Sequence, residues 1–137
     1  MTTASSVSLG IDHLIATGHV SGQRVGLVCN SASIDATFHH TADRLREEPD
    51  IALTTLFSPQ HGFWSDVQDN MIESPHSTHP HYDIPIYSLY SVNREPTAEM
   101  LHKIDTLVID LQDVGTRVYT YIYTMANCLR AARRQNI

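Results

Sequence analysis

Apolar positions along the chain fall into two kinds of run that take turns. Residues 24–30 (RVGLVCN), 51–57 (IALTTLF) and 106–112 (TLVIDLQ) are short, rich in β-branched side chains and apolar at consecutive positions. That is the pattern of strands buried on both faces. Residues 84–90 (IPIYSLY) form a fourth run of the same kind, interrupted by a proline and a serine. Between these runs apolar residues recur at helical spacing: Phe38, Ala42 and Leu45, then Met100, Leu101 and Ile104, then Val118, Ile122, Met125 and Leu129. The last set falls at i, i+4, i+7 and i+11, one face of an amphipathic helix. An opening helix is expected over residues 8–17. Strands alternating with helices of this length predict an α/β domain in three layers, with a mostly parallel sheet, right-handed crossovers and helices on both faces.

Residues 62–82 break the alternation, being long, irregular and rich in Asp, Ser, His and Pro. Loops of that length inside a compact domain are commonly functional. This one leaves the carboxyl end of the second strand, and in an open parallel sheet ligands gather outside those ends. Polar clusters also leave the first strand (residues 30–33, from Asn30) and the last (residues 110–117, DLQDVGTR). Three polar strand ends are therefore expected to meet at one rim. In the turn after the second strand, Pro59 ends the strand and Gly62 permits a positive φ. Gln60 and His61 between them either satisfy loop backbone groups or face a ligand. Phe63 and Trp64 either stack on that ligand or anchor the loop in the core. Asp110 closes an apolar strand, where burial raises a carboxyl pKa unless a partner offsets it, and Arg117 is its expected partner. One of Asp110 and Asp113 can instead cap the following helix. Tyr119 and Tyr123 lie off the apolar stripe, either rimming a cleft or half-buried on the helix.

Composition narrows the chemistry. A length of 137 residues, 42% hydrophobic and 18% charged, describes one domain with a real core. A formal charge of -6 with no basic run longer than Arg133 and Arg134 argues against a nucleic-acid partner. No apolar run approaches membrane-spanning length, and the first residues lack the basic-then-apolar pattern of an export signal. The chain as given is thus expected in the cytoplasm without a membrane partner, although an export signal upstream of an incomplete N-terminus would change the location. Cys29 and Cys128 read as small buried hydrophobes. His76, His79 and His81 share no helix face and Pro80 stiffens their segment, so solvated loop histidines are expected there and no metal. Asp110 and Asp113 stand three apart, whereas strand-end phosphotransfer uses carboxylates two apart. The first strand runs into NSASID without the glycine-rich turn a dinucleotide needs, and no cofactor is implied.

LFSPQHGFWSDVQDNMIES (residues 56–74), IPIYSLY followed by PTAEM, and VIDLQDVGTRVYTYIYTM (residues 108–125) resemble, in order and spacing, the NamZ family of exo-β-N-acetylmuramidases. The resemblance extends from Gly10 to the end of the chain. It implies a Rossmann-like domain over residues 1–137, forming one wall of a cleft in a glycosidase. Such an enzyme releases N-acetylmuramic acid from the non-reducing ends of peptidoglycan fragments. It also implies a muramic-acid-containing saccharide as ligand and a second, C-terminal domain, absent from this chain, as partner. Family members commonly carry Pro-Glu-His-Gly where this chain has Pro59, Gln60, His61 and Gly62, and that glutamate is the family's suspected catalytic carboxylate. Glutamine can neither donate the proton nor act as nucleophile. Under the resemblance, Asp110 and His61 are the expected catalytic residues, and Gln60, Asn30, Gln112, Asp113, Arg117 and Tyr119 are expected to bind the sugar. Arg117 either tunes Asp110 or meets the lactyl carboxylate. The substrate's own N-acetyl group is a possible internal nucleophile. Asp66, Asp69 and Glu73 are further carboxylates of the long loop. The alternative function is a sugar-binding module, or half of an enzyme, without turnover.

Overall fold

The computed structural model describes residues 7–68 and 72–137; Asp69 lies outside the described residues. In chain order the elements are α1 (Gly10–Thr17), β1 (Arg24–Cys29), α2 (Thr41–Glu47), β2 (Ala52–Ser58), β3 (Ser77–Thr78), β4 (Pro85–Ser88), α3 (Ala98–Leu101), β5 (Thr106–Asp110) and α4 (Tyr121–Gln135). Their sheet order is β3-β4-β2-β1-β5. β1 pairs in parallel with β2 on one side and β5 on the other, and β2 pairs in parallel with β4. The two-residue β3 adds antiparallel to β4 from within the long loop. Nothing in its Ser-Thr sequence marks it as a strand.

Alternation along β1 builds the two outer layers. Val25, Leu27 and Cys29 face a core shared with Ile11 of α1 and with Ala42 and Leu45 of α2. Val28 faces the opposite core, with Phe57, Met100, Leu101, Ile104, Cys128 and Ala131. Gly26 lies on that second face because no side chain fits: a Cβ there would meet Ile104 Cδ1 at 2.8 Å and Phe57 Cε2 at 3.1 Å. Both cysteines are buried and free. Burial pushes the Cys29 thiol up and carries that of Cys128 to about 12, so neither is a nucleophile at neutral pH.

Three helices differ from expectation: α3 ends at Leu101, so Ile104 joins the same core from beyond the helix. Phe38 does not start α2; it stands 82% exposed at a φ of 66°. The helix begins instead at Thr41, where the imidazole of His40 accepts from Ala42 N at 3.2 Å. On α4 the periodic apolar stripe exists but faces outward: Ile122, Met125 and Leu129 are 55%, 40% and 56% exposed. The buried face carries Thr124, Cys128, Ala131 and Ala132. Small side chains let α4 approach α3 and the sheet closely, which leaves the larger ones on the far side. No helix among the described residues is long and apolar enough to cross a membrane.

Candidate functional site

β1 leads to β2 on one side, whereas β5 joins it from the other, so the chain reverses direction across the sheet at β1. A crevice opens at such a reversal, beyond the carboxyl ends of the strands. A cleft of about 600 Å³ lies there, lined by Asn30, Ser31 and Ala32 after β1, His61, Ser65 and Gln68 after β2, and Gln112, Val114, Tyr119 and Tyr121 after β5. A smaller cavity of about 260 Å³ adjoins it, where Gln60 meets Thr120 and which shares His61, Tyr119 and Tyr121.

Local hydrogen bonds hold each strand end in place. Asn30 is buried; its Oδ1 accepts from Ala32 N at 3.0 Å and its backbone N donates to Ser33 Oγ at 3.1 Å. Ser33 Oγ in turn donates to the Asp110 carbonyl at 2.6 Å, tying the ends of β1 and β5 together. Below them Asp35 accepts from Thr37, from the His39 backbone and from Arg44. Its carboxyl is held far below the usual carboxylate range, chiefly by the Thr37 hydroxyl and then by the His39 and Thr37 amides and Arg44, against the opposing effect of burial.

The turn after β2 carries the strained backbone. His61 and Gly62 have φ of 74° and 80°, closed by Gly62 N donating to the Pro59 carbonyl at 3.2 Å. A non-glycine residue held there costs roughly 1–3 kcal/mol, a strain that gathers at functional sites. His61 Nδ1 sits 2.7 Å from the Val67 carbonyl. A carbonyl only accepts, so the ring proton belongs on Nδ1, and Nε2 is left for a ligand. Gln60 is buried, and its Oε1 accepts from Thr120 Oγ1 at 2.9 Å. Its amide NH₂ remains as a donor in the smaller cavity. Ser31 and Ser65 hydroxyls lie 2.7 Å apart and join the first and second loops across the cleft floor.

Phe63 anchors the loop, buried in the α1–α2 core with its ring 5.3 Å from that of His40 and 5.6 Å from that of His79. Trp64 is half-exposed and packs edge-on against Phe63. The loop histidines are not simply solvated. His79 is buried and stacked on Tyr82 at 4.1 Å, and burial lowers its pKa; His76 Nδ1 accepts from Ser88 N at 2.9 Å. Among the described residues no group of His, Cys, Asp and Glu is arranged to hold a metal.

Of the residues expected at the site, Asn30, Gln60, His61, Gln112 and Tyr119 come together in these two cavities. Gln112 also spans the gap, its Nε2 donating to the Ala32 carbonyl at 3.1 Å. Asp110 does not join them. Strand alternation turns its carboxylate toward α2, where Thr41 Oγ1 donates to it, and it lines a separate groove with Ile11, Leu14 and Val108. The expected pairing of Asp110 with Arg117 is also corrected: among the described residues no ion pair joins them, and Arg117 is exposed and lines neither cavity. Asp113 shapes its own turn, accepting from Gly115 N at 2.7 Å, so neither aspartate caps α4, whose N-cap is Thr120. Asp66 lines a separate pocket beside Phe63, and Glu73 is exposed. Ser65, Gln68 and Tyr121 were not singled out from the sequence, because no spacing distinguishes them within their polar or aromatic runs.

Residues 25–137 match the family described as exo-beta-N-acetylmuramidase NamZ, N-terminal. The chain belongs to this family. It is 43% identical over 133 residues to the peptidoglycan beta-N-acetylmuramidase NamZ of Bacillus subtilis (strain 168), covering 96% of this chain and 32% of that protein. The crystal structure of a DUF1343 family protein from Bacteroides fragilis NCTC 9343 superposes with a TM-score of 0.81 at 39% identity, covering 93% of this chain and 32% of that one. The chain thus spans about a third of the length of these relatives. Its α/β architecture is that of the NamZ N-terminal domain, and within it the cleft joins the strand-end motifs that carry the family likeness.

Proposed function

We propose that the cleft binds N-acetylmuramic acid at the non-reducing end of peptidoglycan fragments, as the sugar-holding wall of a glycoside hydrolase of the NamZ family. The observation that carries this reading is the convergence of Asn30, Gln60, His61, Gln112 and Tyr119 on one polar crevice at the reversal point of the sheet. The Gln60 amide is placed to donate to an N-acetyl carbonyl, and the tyrosines offer ring faces and edges to a pyranose. His61 Nε2, the ring nitrogen left as acceptor by the Nδ1 contact to the Val67 carbonyl, takes the proton of the water that attacks the anomeric carbon, while the departing oxygen takes its proton from solvent. Isothermal titration with the β-methyl glycoside of N-acetylmuramic acid tests the reading. Saturable binding is expected, weakened about tenfold or more in His61→Ala, the scale of one lost buried hydrogen bond to a ligand. Absence of heat at millimolar sugar would end it.

A second reading, binding without turnover, is favoured by Gln60, which stands where the resemblance places a catalytic glutamate. Among the described residues neither cavity is lined by Asp or Glu.

The partner is the polypeptide that in the relatives extends beyond the matched third. Its proposed seat is the open side of β5. Every residue of that strand is only half-buried, the Ile11–Leu14–Val108 groove flanks one face, and the outward stripe of α4 flanks the other. A strand edge with apolar surface on both sides recruits further chain. Sedimentation velocity is expected to show the parent chain self-associating with rising concentration, and a double Ile122→Glu, Leu129→Glu variant remaining monomeric. A parent chain monomeric throughout would remove this seat.

A further inference from the structure

A third cavity, of about 300 Å³, continues the same rim past Thr120, which lines both it and the Gln60 cavity. Its walls are Tyr90 and Arg94, after β4, and Tyr123, Thr124 and Asn127 of α4. The Arg94 guanidinium lies 3.7 Å from the centre of the Tyr90 ring, a cation–π contact that holds the planar fork. From the other side Asn127 Nδ2 donates to the Arg94 carbonyl at 2.8 Å, fixing its backbone against the helix. Among the described residues the acidic side chain paired with it is Glu73, at 3.9 Å, with both side chains about half exposed. A pair so long and so wet leaves the guanidinium able to accept another anion.

Charge singles this arginine out. Among the described residues lining the three rim cavities, Arg94 alone carries a permanent positive charge, and none is Asp or Glu. In a chain of net charge -6, an anionic ligand needs such a local cation to offset the field of the whole molecule. We propose that Arg94 is the specificity residue for a carboxylate on the bound saccharide, with the sugar ring beside Gln60 and Thr120 and its acidic ether substituent reaching into the Arg94 cavity. An arginine fork held flat on a tyrosine is suited to bidentate recognition of a carboxylate. Arg117, the arginine expected from the sequence for that task, lines none of the three cavities.

This inference rests on the sugar-binding reading, and the experiment separates the two. Dissociation constants of the full chain are measured for the β-methyl glycosides of N-acetylmuramic acid and N-acetylglucosamine, which differ only by the lactyl ether and its carboxylate. The parent is expected to prefer the acid by about tenfold, the range of one charge-assisted contact. Arg94→Ala is expected to bring the two constants together by weakening the acid alone, Arg94→Lys to keep part of the preference, and Arg117→Ala to keep all of it. A preference surviving in Arg94→Ala, or lost in Arg117→Ala, overturns the assignment. So does equal weakening of both sugars in Arg94→Ala, which marks a structural role. Equal affinity of the parent for both sugars overturns the arginine's role while sparing the sugar site, and binding of neither overturns both.

Discussion

Replacing Gln60 with glutamate is expected to raise hydrolysis of a chromogenic N-acetylmuramic acid glycoside about 100-fold or more, the usual contribution of a positioned carboxyl acid or base. The position is prepared for the exchange. Gln60 is buried at the end of β2, its Oε1 already accepts from Thr120 Oγ1, and His61 follows it into both cavities. A carboxyl group of nearly the same shape inherits that hydrogen bond and leaves its second oxygen toward the cavity. The measurement is initial rate against pH, in the polypeptide that carries this chain, for parent and Gln60→Glu. A single new ionisation in the variant's profile, absent from the parent, marks the introduced group. Asp110→Asn is the informative companion: with its carboxylate bound by Thr41 and lining neither cavity that holds His61, its loss is expected to move stability and not rate. Equal turnover for parent and Gln60→Glu would mean that residue 60 does not face the scissile bond.

Phe57→Ala is expected to cost about 3–5 kcal/mol, the range for removing a fully buried aromatic side chain and leaving a cavity. Phe57 is 0% exposed, one strand over from Gly26, whose missing side chain makes room for it and for Ile104. Its neighbours are held from collapsing into the space, because Leu89 is fixed just after β4 and Met100 and Leu101 are fixed on α3, on different sides of the same core. Against a total stability of about 5–15 kcal/mol for a domain, such a loss moves the chain close to unfolding at ambient temperature. Urea unfolding followed by circular dichroism checks it, with Phe38→Ala as the contrast. That ring is 82% exposed, so its removal should change stability by less than about 0.5 kcal/mol. Similar midpoints for the two variants would show that the β2–α3–α4 core is not packed as described.

Much of the architecture was legible before any coordinates. Runs such as RVGLVCN and TLVID are apolar on consecutive positions, which only a strand covered on both faces can satisfy, and they became β1 and β5. The polar tails after those strands had to emerge at one edge once the strands ran parallel, so Asn30, Gln60, His61, Gln112 and Tyr119 were recognisable as neighbours although as many as 89 residues separate Asn30 from Tyr119. Side-chain direction was another matter. Asp110 ends its strand as expected, yet the two-residue period of β5 turns it onto the Thr41 side, where it lines a groove separate from the cavities that hold His61. Arg94 sits in a loop whose sequence, SVNREP, carries no motif, and its link to the rim exists only because α4 lies alongside that loop and Asn127 reaches its carbonyl.

What the sequence by itself determined is the alternation of strands and helices, the family, and the edge of the sheet at which the polar strand ends gather, because each is written in local periodicity and short motifs. What only the tertiary structure decided is which face each side chain serves. The stripe of Ile122, Met125 and Leu129 was visible as a stripe, but a period of 3.6 residues records that a helix has an apolar side without recording what lies against it. Close packing of α4 on α3 required its small residues inward, at Cys128 and Ala131, and so left the large ones outward. Long-range contact, not local pattern, sets that choice.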